Sequence, residues 1–170
     1  MKKILLFIII VLIVGLFALS FDYDKPPQLT YGVSFSRFHS DELKLDWKET
    51  YLAILNDLGV RNFRFSAHWP LTEPEEGKFN FEELDFQIKE AQKVKASVIF
   101  AVGRRLPGWP ECHDPEWAKG LSKDKKHEKI LNYIKEVVNR YKDYGNIKYW
   151  QVENEPYLTF FSSSTCGEFD

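Results

Sequence analysis

Short apolar runs alternate with longer amphipathic stretches along the chain after residue 30. Runs of strand length occupy residues 31–36, 60–68, 97–102 and 147–153, and the third has the unbroken apolar character of a strand that is covered on both faces. Three stretches between them carry apolar residues at helical spacing. Their stripes are Trp47, Tyr51, Leu55 and Leu58; Phe81, Leu84, Ile88 and Ala91; and Ile130, Ile134, Val137, Val138 and Tyr141. This order predicts an α/β fold with a parallel sheet and right-handed crossovers.

Turn and cap signals indicate where these elements begin and end. Gly59 follows the first stripe and predicts the C-terminal end of that helix. Asn80 and Glu83 predict a capping box at the start of the next helix. The longest loops follow the strands, as they do at the active-site face of an α/β barrel. No glycine-rich phosphate loop follows the first strand, which disfavours a dinucleotide-binding sheet, although element order alone leaves barrel and doubly wound sheet open.

The N-terminus has the pattern of an export signal. Two lysines precede an apolar run at residues 4–19, and a positive start followed by such a run is typical of exported proteins. Segment 1–20 is predicted to be a cleaved signal peptide or a retained membrane anchor, and both alternatives place the remainder outside the cytoplasm, secreted or anchored. Residues 21–30 form a charged, proline-containing linker, so residues 31–170 are the predicted folded domain.

Composition and charge narrow the possible functions. The 170 residues are 44% hydrophobic and 16% aromatic, which is typical of a globular domain. The net charge is −2, and the basic residues are scattered among acidic ones, so nucleic acid is not an expected partner. Cys112 and Cys166 lie in the exported part, which suits a disulfide. The sequence has no cluster of Cys and His residues, so it predicts no metal site.

Residues 150–156 carry the sharpest chemical signal. They end a predicted strand in two carboxylates, Glu153 and Glu155, with Asn154 between them and Pro156 terminating the strand pairing. Cleavage of a glycosidic bond needs a carboxylic acid that protonates the leaving oxygen and a hydrogen-bonding group near the sugar 2-hydroxyl. Glu155 and Asn154 suit these two tasks. The alternative is a solvated acidic turn at the end of a strand.

Three segments resemble a known clan of enzymes. Residues 154–156, Asn-Glu-Pro after an apolar, Trp-containing fourth strand, resemble the NEP signature of the retaining (β/α)8 glycoside hydrolases. That clan includes cellulase-type, β-glucosidase-type and β-galactosidase-type families. Residues 63–70 (FRFSAHWP) resemble the second strand of β-glucosidase-like members, and residues 74–81 (PEEGKFNF) resemble the run that leads into helix two across the clan. The resemblance extends over about residues 30–160.

The resemblance implies the first four βα units of a TIM (β/α)8 barrel, with an active site at the carboxyl ends of the strands. By it, Glu155 is the general acid/base, Asn154 binds the sugar 2-hydroxyl, and Arg64 orients the carboxylate of the nucleophile. In this clan the nucleophile is a second glutamate on the seventh strand, whereas this chain has four strands. We therefore expect a truncated N-terminal half of a retaining glycosidase, inactive by itself, with no cofactor and no metal.

Further residues near the strand ends are candidates for binding an oligo- or polysaccharide substrate. These candidates are Trp109, His68, Trp69 and Glu153. Strand three departs from the β-glucosidase type, because residues 103–105 are Gly-Arg-Arg where that type carries a histidine. The barrel brings the loops of Cys112 and Cys166 together, so a disulfide between them is one interpretation, and two independent thiols are the alternative. The competing interpretation is a catalytically inactive saccharide-binding or structural module, tethered to a membrane through residues 4–19.

Overall fold

A computed structural model of the protein describes residues 2–19, 29–108 and 112–157. The chain divides into two compact units, Met1–Thr30 and Tyr31–Asp170. The first unit consists of one helix in its described part, and the second contains the strands that carry the candidate chemistry.

The first unit contains helix α1, which spans Lys2–Leu19. Its large apolar side chains from Ile4 to Val14 are each at least 44% exposed. Among the residues that the structure describes, no helix combines the length and the apolar character needed to cross a membrane. The export-signal and membrane-anchor interpretations of this segment both stay predictions.

The second unit is built on one four-stranded parallel sheet with the strand order β1-β2-β3-β4. The strands are β1 (Val33–Phe35), β2 (Asn62–Ser66), β3 (Ser97–Val102) and β4 (Ile147–Val152). The helices are α2 (Arg37–Glu42), α3 (Trp47–Asn56), α4 (Trp69–Thr72), α5 (Glu82–Lys93) and α6 (Lys123–Tyr141), and a 3-10 helix spans Glu116–Ala118. The predicted parallel α/β sheet is therefore confirmed for the described residues.

One face of the sheet is an aromatic row that the helices cover. Alternate residues of a strand point to opposite faces, so residues paired in register share a face. The row paired across the four strands is Phe35, Phe65, Phe100 and Trp150. The ring of Phe100 lies 5.5 Å from that of Tyr141 on α6, and both side chains are fully buried. The main hydrophobic core therefore lies between the sheet and its helices.

The opposite face of the sheet is more polar and more open. The next row in register contains Ser34, Arg64, Ile99 and Tyr149. Ile99 is 38% exposed and Tyr149 is 68% exposed. We call this face, which carries Ser34, Arg64, Ile99 and Tyr149, the inner face. The Nε atom of Arg64 on β2 donates to Ser34 Oγ on β1 at 2.9 Å, which holds the guanidinium on the inner face.

Helix α3 ends earlier than its apolar stripe predicts. Tyr51 and Leu55 are at most 1% exposed and face the core as predicted. The helix ends at Asn56, however, and Leu58 is 73% exposed. The prediction that Leu58 belongs to the buried stripe is wrong, because the helix ends before Leu58. The chain then turns toward β2 at Gly59, whose φ is +64°.

The predicted capping box of α5 does not form. The helix begins at Glu82 with no side-chain cap at the N-cap residue, although Asn80 Oδ1 accepts a hydrogen bond from the Glu82 N–H at 3.0 Å. Glu83 instead pairs with Arg37 of α2, whose Nε lies 3.3 Å from its Oε2. Burial raises the pKa of Glu83 to about 7, against the opposing effect of Arg37. A tertiary ion pair has replaced a local cap.

Replacing Leu55 by Ala is expected to lower the free energy of unfolding by about 2–5 kcal/mol, because it opens a cavity in the core. Leu58→Ala is the matched control, since it makes the same chemical change at an exposed position. We expect its effect to stay within about 0.5 kcal/mol. Urea denaturation of the two variants measures both values, and equal losses would show that Leu58 belongs to the core.

Candidate active site

The segments that follow β3 and β4 run side by side beyond the sheet. Neighbouring parallel strands bring their carboxyl ends to one edge, which is where α/β proteins bind ligands. The Glu153 N–H donates to the Val102 carbonyl at 3.0 Å, and the Asn154 N–H donates to the Arg105 carbonyl at 2.7 Å. These bonds place the turn after β4 directly beside the loop after β3.

Glu153 fastens these two segments together through its carboxylate. Its Oε1 accepts the Arg104 N–H at 2.8 Å, and its Oε2 accepts the Arg105 N–H at 2.5 Å. Burial raises the pKa of Glu153, and the two backbone N–H groups oppose that rise. Both oxygens accept a backbone N–H, which gives Glu153 a structural role, and its sugar contact stays a prediction.

Gly103 makes this close approach possible. A Cβ at this position would lie 2.5 Å from Glu153 Oε1, and the backbone φ is +137°, a conformation that other residues rarely adopt. The predicted departure at residues 103–105 therefore has a physical basis. A glycine and two backbone N–H groups receive a carboxylate from the neighbouring strand.

The two arginines after β3 point their side chains to different partners. Arg104 forms a two-bond ion pair with Asp114, through Nε at 2.6 Å and Nη2 at 3.2 Å, and Lys126 Nζ joins it at 2.7 Å. Burial of Asp114 disfavours its charged form, but the bonds from Arg104 and Lys126 outweigh that cost and hold its pKa below the usual range. Arg105 turns instead to Glu155.

Glu155 presents its carboxyl from a turn whose backbone is held by a buried cation. Arg105 is 6% exposed, and its Nη1 donates to the Glu155 carbonyl oxygen at 2.8 Å. Its Nη2 lies 3.8 Å from Glu155 Oε2. The Glu155 side chain is 54% exposed. The carboxyl is accessible to a substrate, whereas the backbone that carries it is fixed.

A chain of polar side chains connects Arg64 to the turn that holds Asn154. Arg64 Nη1 donates to Gln151 Oε1 at 3.5 Å, and Gln151 Nε2 donates to Asn154 Oδ1 at 3.1 Å. The predicted positions Arg64 and Asn154 thus lie on one face and at one end of the sheet. Gln151 was not predicted, although a polar residue within the apolar fourth strand was a signal for it.

A cavity of about 220 Å³ lies at the same end of the sheet. Its lining residues are Ser34, Phe35, Ser36, His39, Arg64, Ser66, Pro107 and Gly108. A larger cavity of about 630 Å³ is lined by residues nearer the amino ends of the strands, such as Gly32, Asn62 and Ser97. Size favours the larger cavity, but we assign the site to the smaller one, because the carboxyl ends carry the chemistry of parallel sheets.

Trp69 and His68 are packed residues, contrary to the prediction that they contact sugar. Trp69 is fully buried; its indole N–H donates to Glu73 Oε2 at 2.7 Å, and its ring stacks on Tyr133 at 5.8 Å. His68 is 4% exposed and meets the ring of Phe38 edge-on at 4.5 Å. Burial lowers the pKa of His68 to about 3. The helix α4 begins at once after β2 and turns both side chains inward.

Two predicted residues, Trp109 and Cys166, lie outside the described residues. Cys112, the predicted disulfide partner of Cys166, is disulfide-bonded. The backbone of Cys112 also pairs with that of Arg105 in an isolated antiparallel β-bridge. Within the described ranges, no group of three or more His, Cys, Asp or Glu side chains could hold a metal ion.

Comparison with known proteins gives a family match over most of the second unit. The sequence model of glycosyl hydrolase family 10 matches residues 36–161. Two β-galactosidases of Lactobacillus acidophilus, LacZ and LacA, are 28% and 26% identical in alignments of 104 residues that cover 51% of this chain and 16% of each relative. The chain therefore spans about one sixth of the length of the curated relatives that it matches.

Solved structures show where these strands belong in a complete fold. A β-galactosidase from Halorubrum lacusprofundi matches with a TM-score of 0.53 and 24% identity, over 75% of this chain and 21% of its own. A GH5_18 protein from Streptomyces cattleya matches with a TM-score of 0.57 and 17% identity, over 74% and 33% of the two chains. An exo-β-1,4-mannosidase from Opitutaceae strain TAV5 matches with a TM-score of 0.57 and 16% identity, over 76% and 26%. The four parallel strands and their helices match the start of a TIM barrel.

Gly103→Ala is expected to lower the free energy of unfolding by about 2 kcal/mol or more, because the new Cβ strains the backbone and drives Glu153 from its two N–H groups. Gly120→Ala is the matched control, since nothing lies within 4 Å of a Cβ there and no positive φ is involved. Thermal unfolding of both variants tests this. Similar melting temperatures would show that Glu153 does not need its contact with the loop after β3.

Proposed function

The chain belongs to glycosyl hydrolase family 10, and on that premise we propose that it supplies the acid/base side of an active site that hydrolyses O-glycosidic bonds. One observation carries the proposal. The accessible carboxyl of Glu155 stands on a fixed turn at the carboxyl edge of the sheet, beside Asn154. A carboxyl in that position is what glycoside cleavage requires.

Glu155 has two tasks in the proposed reaction. As an acid, it gives its proton to the glycosidic oxygen while a nucleophilic carboxylate bonds to the anomeric carbon and the alcohol leaves. As the resulting carboxylate, it then removes a proton from the water that attacks the anomeric carbon and displaces the nucleophile. Its solvent exposure supports both tasks, since substrate and water must each reach the same oxygen atoms.

Asn154 and Arg64 prepare the substrate and the second carboxylate. Asn154 is held by Gln151, which supports the proposed hydrogen bond from its amide to the sugar 2-hydroxyl. Arg64 keeps a guanidinium on the inner face of the sheet, where a fixed cation keeps a nearby carboxylate ionised. We propose retention of configuration, which requires that nucleophile about 5–5.5 Å from Glu155, on a strand beyond the four that the structure describes.

The relatives suggest the kind of substrate. Their names are those of β-galactosidases and a β-mannosidase, so we propose a β-linked saccharide. The hydroxyls of Ser34, Ser36 and Ser66 and the imidazole of His39 line the cavity at the strand ends. Such groups hydrogen-bond sugar hydroxyls, which supports a saccharide rather than an apolar ligand.

We propose that the enzyme works outside the cytoplasm. The two lysines and the apolar run of α1 support this location, and so does the disulfide-bonded state of Cys112, because disulfides persist in oxidising compartments. Protease treatment of intact cells that express the tagged protein tests the location. A tag that stays protected until the cells are lysed contradicts it.

Glu155→Gln in the full-length protein, including any sequence after residue 170, is expected to lower hydrolysis of an alkyl β-glycoside by about 100-fold or more, because the amide cannot donate the proton. Glu116→Gln is the matched control, since that carboxyl is 87% exposed and lies outside the site. Release of the free sugar gives the rates, and proton NMR of that first sugar product reports its configuration.

Three outcomes would contradict parts of this proposal. Equal activity of the Glu155 and Glu116 variants removes the acid/base assignment, and an inverted product removes the retaining mechanism. Sugar binding without turnover in the wild-type protein favours the inactive saccharide-binding module. The 170-residue chain alone is expected to show no turnover, because the four strands among its described residues do not supply the nucleophile.

A further inference from the structure

The side chain of Arg105 is buried at the base of the turn that carries Glu155. The residue is 6% exposed, although a guanidinium stays charged in proteins and is costly to remove from water. Its backbone is fixed as well. The Arg105 N–H donates to Glu153 Oε2, and the Arg105 carbonyl accepts from the Asn154 N–H. The backbone of Arg105 also pairs with that of Cys112 in an isolated antiparallel β-bridge. A charge buried so firmly must be compensated by the groups that it contacts.

The turn beside Arg105 has a backbone that needs support. Glu153 and Glu155 have φ values of +60° and +48°, in the left-handed region that residues other than glycine rarely occupy. Such conformations persist only where the surroundings hold them. The hydrogen bond from Arg105 Nη1 to the Glu155 carbonyl, at 2.8 Å, is a charge-assisted contact that holds the left-handed conformation at Glu155.

We propose that Arg105 is a positioning residue for the acid/base carboxyl. Nη1 fixes the turn through the Glu155 carbonyl, and Nη2, 3.8 Å from Oε2, sets the direction of the carboxyl. That distance is too long for a hydrogen bond, so both oxygens stay available to substrate and water. The inference rests on the proposed role of Glu155, because proton transfer needs the acid within about 2.6–3.2 Å of the leaving oxygen.

A purely structural role for Arg105 would also reduce activity, so the test has to separate the two roles. Protonation matters only when the leaving group is a poor one. A 2,4-dinitrophenolate leaves without a proton, whereas an alkoxide does not. The ratio of kcat/KM for a 2,4-dinitrophenyl β-glycoside to that for an alkyl β-glycoside therefore reports acid catalysis alone. It does not depend on how much of a variant is folded, because both rates scale with folded enzyme.

The experiment compares three variants of the full-length protein. Arg105→Met removes every donor of the side chain, and Arg105→Lys keeps the positive charge and an ammonium donor without the planar guanidinium. Arg61→Met is the matched control, since Arg61 Nη1 also donates to a backbone carbonyl, that of Leu55 at 2.7 Å, but between α3 and β2. We expect the ratio to rise about 100-fold in Arg105→Met, less in Arg105→Lys, and to stay unchanged in Arg61→Met.

An unchanged ratio in Arg105→Met, or in Arg105→Lys where the first variant fails to fold, overturns the positioning role. Failure of the proposed function looks different, because the wild-type protein then hydrolyses neither glycoside. A crystal structure of Arg105→Met gives a readout without activity. We expect the Glu155 carboxyl to leave its observed position, and a turn that keeps φ near +48° at Glu155 would contradict the proposal.

Discussion

The candidate site depends on one half-buried carboxylate, that of Glu153, which accepts the backbone N–H groups of Arg104 and Arg105. Through these bonds the end of β4 is fastened to the loop that follows β3. Because the loop is held there, the side chain of Arg105 reaches the carbonyl of Glu155. Gly103 admits the carboxylate at a distance that no other residue would allow. Glu155, the proposed acid/base residue, is thus positioned by its neighbour two places earlier, acting through the loop after β3.

The sheet separates stability from chemistry by the alternation of its side chains. The aromatic row that contains Phe65 and Phe100 faces the helices and is buried. The adjacent positions face the other way and carry Arg64 and Gln151, which lead to Asn154. Because the two sets alternate along the same strands, the inner face can hold polar groups without weakening the core. This division is general in barrels, where fold and chemistry occupy different surfaces.

Sequence reasoning failed where tertiary contacts compete with local signals. His68 and Trp69 follow a strand end, which suggested a cleft, but the helix α4 has four residues and is too short to show a periodic pattern. Glu83 matches a capping box and pairs with Arg37 instead. In a regular strand, the side chains of Glu153 and Glu155 would point to the same face. The left-handed turn at these residues breaks that alternation, so the two carboxyls contact different groups.

The sequence by itself determined the order of the four described strands and of helices α3, α5 and α6, the buried face of these three helices, and the Asn-Glu-Pro segment at the end of β4. Periodicity and local chemistry are encoded within short stretches, so they are legible without a structure. Only the tertiary structure decided that the Glu153 carboxylate binds the loop after β3 while that of Glu155 is exposed, and that the Arg105 side chain contacts the Glu155 carbonyl. Those assignments depend on contacts between residues about fifty positions apart, and no local pattern specifies such contacts.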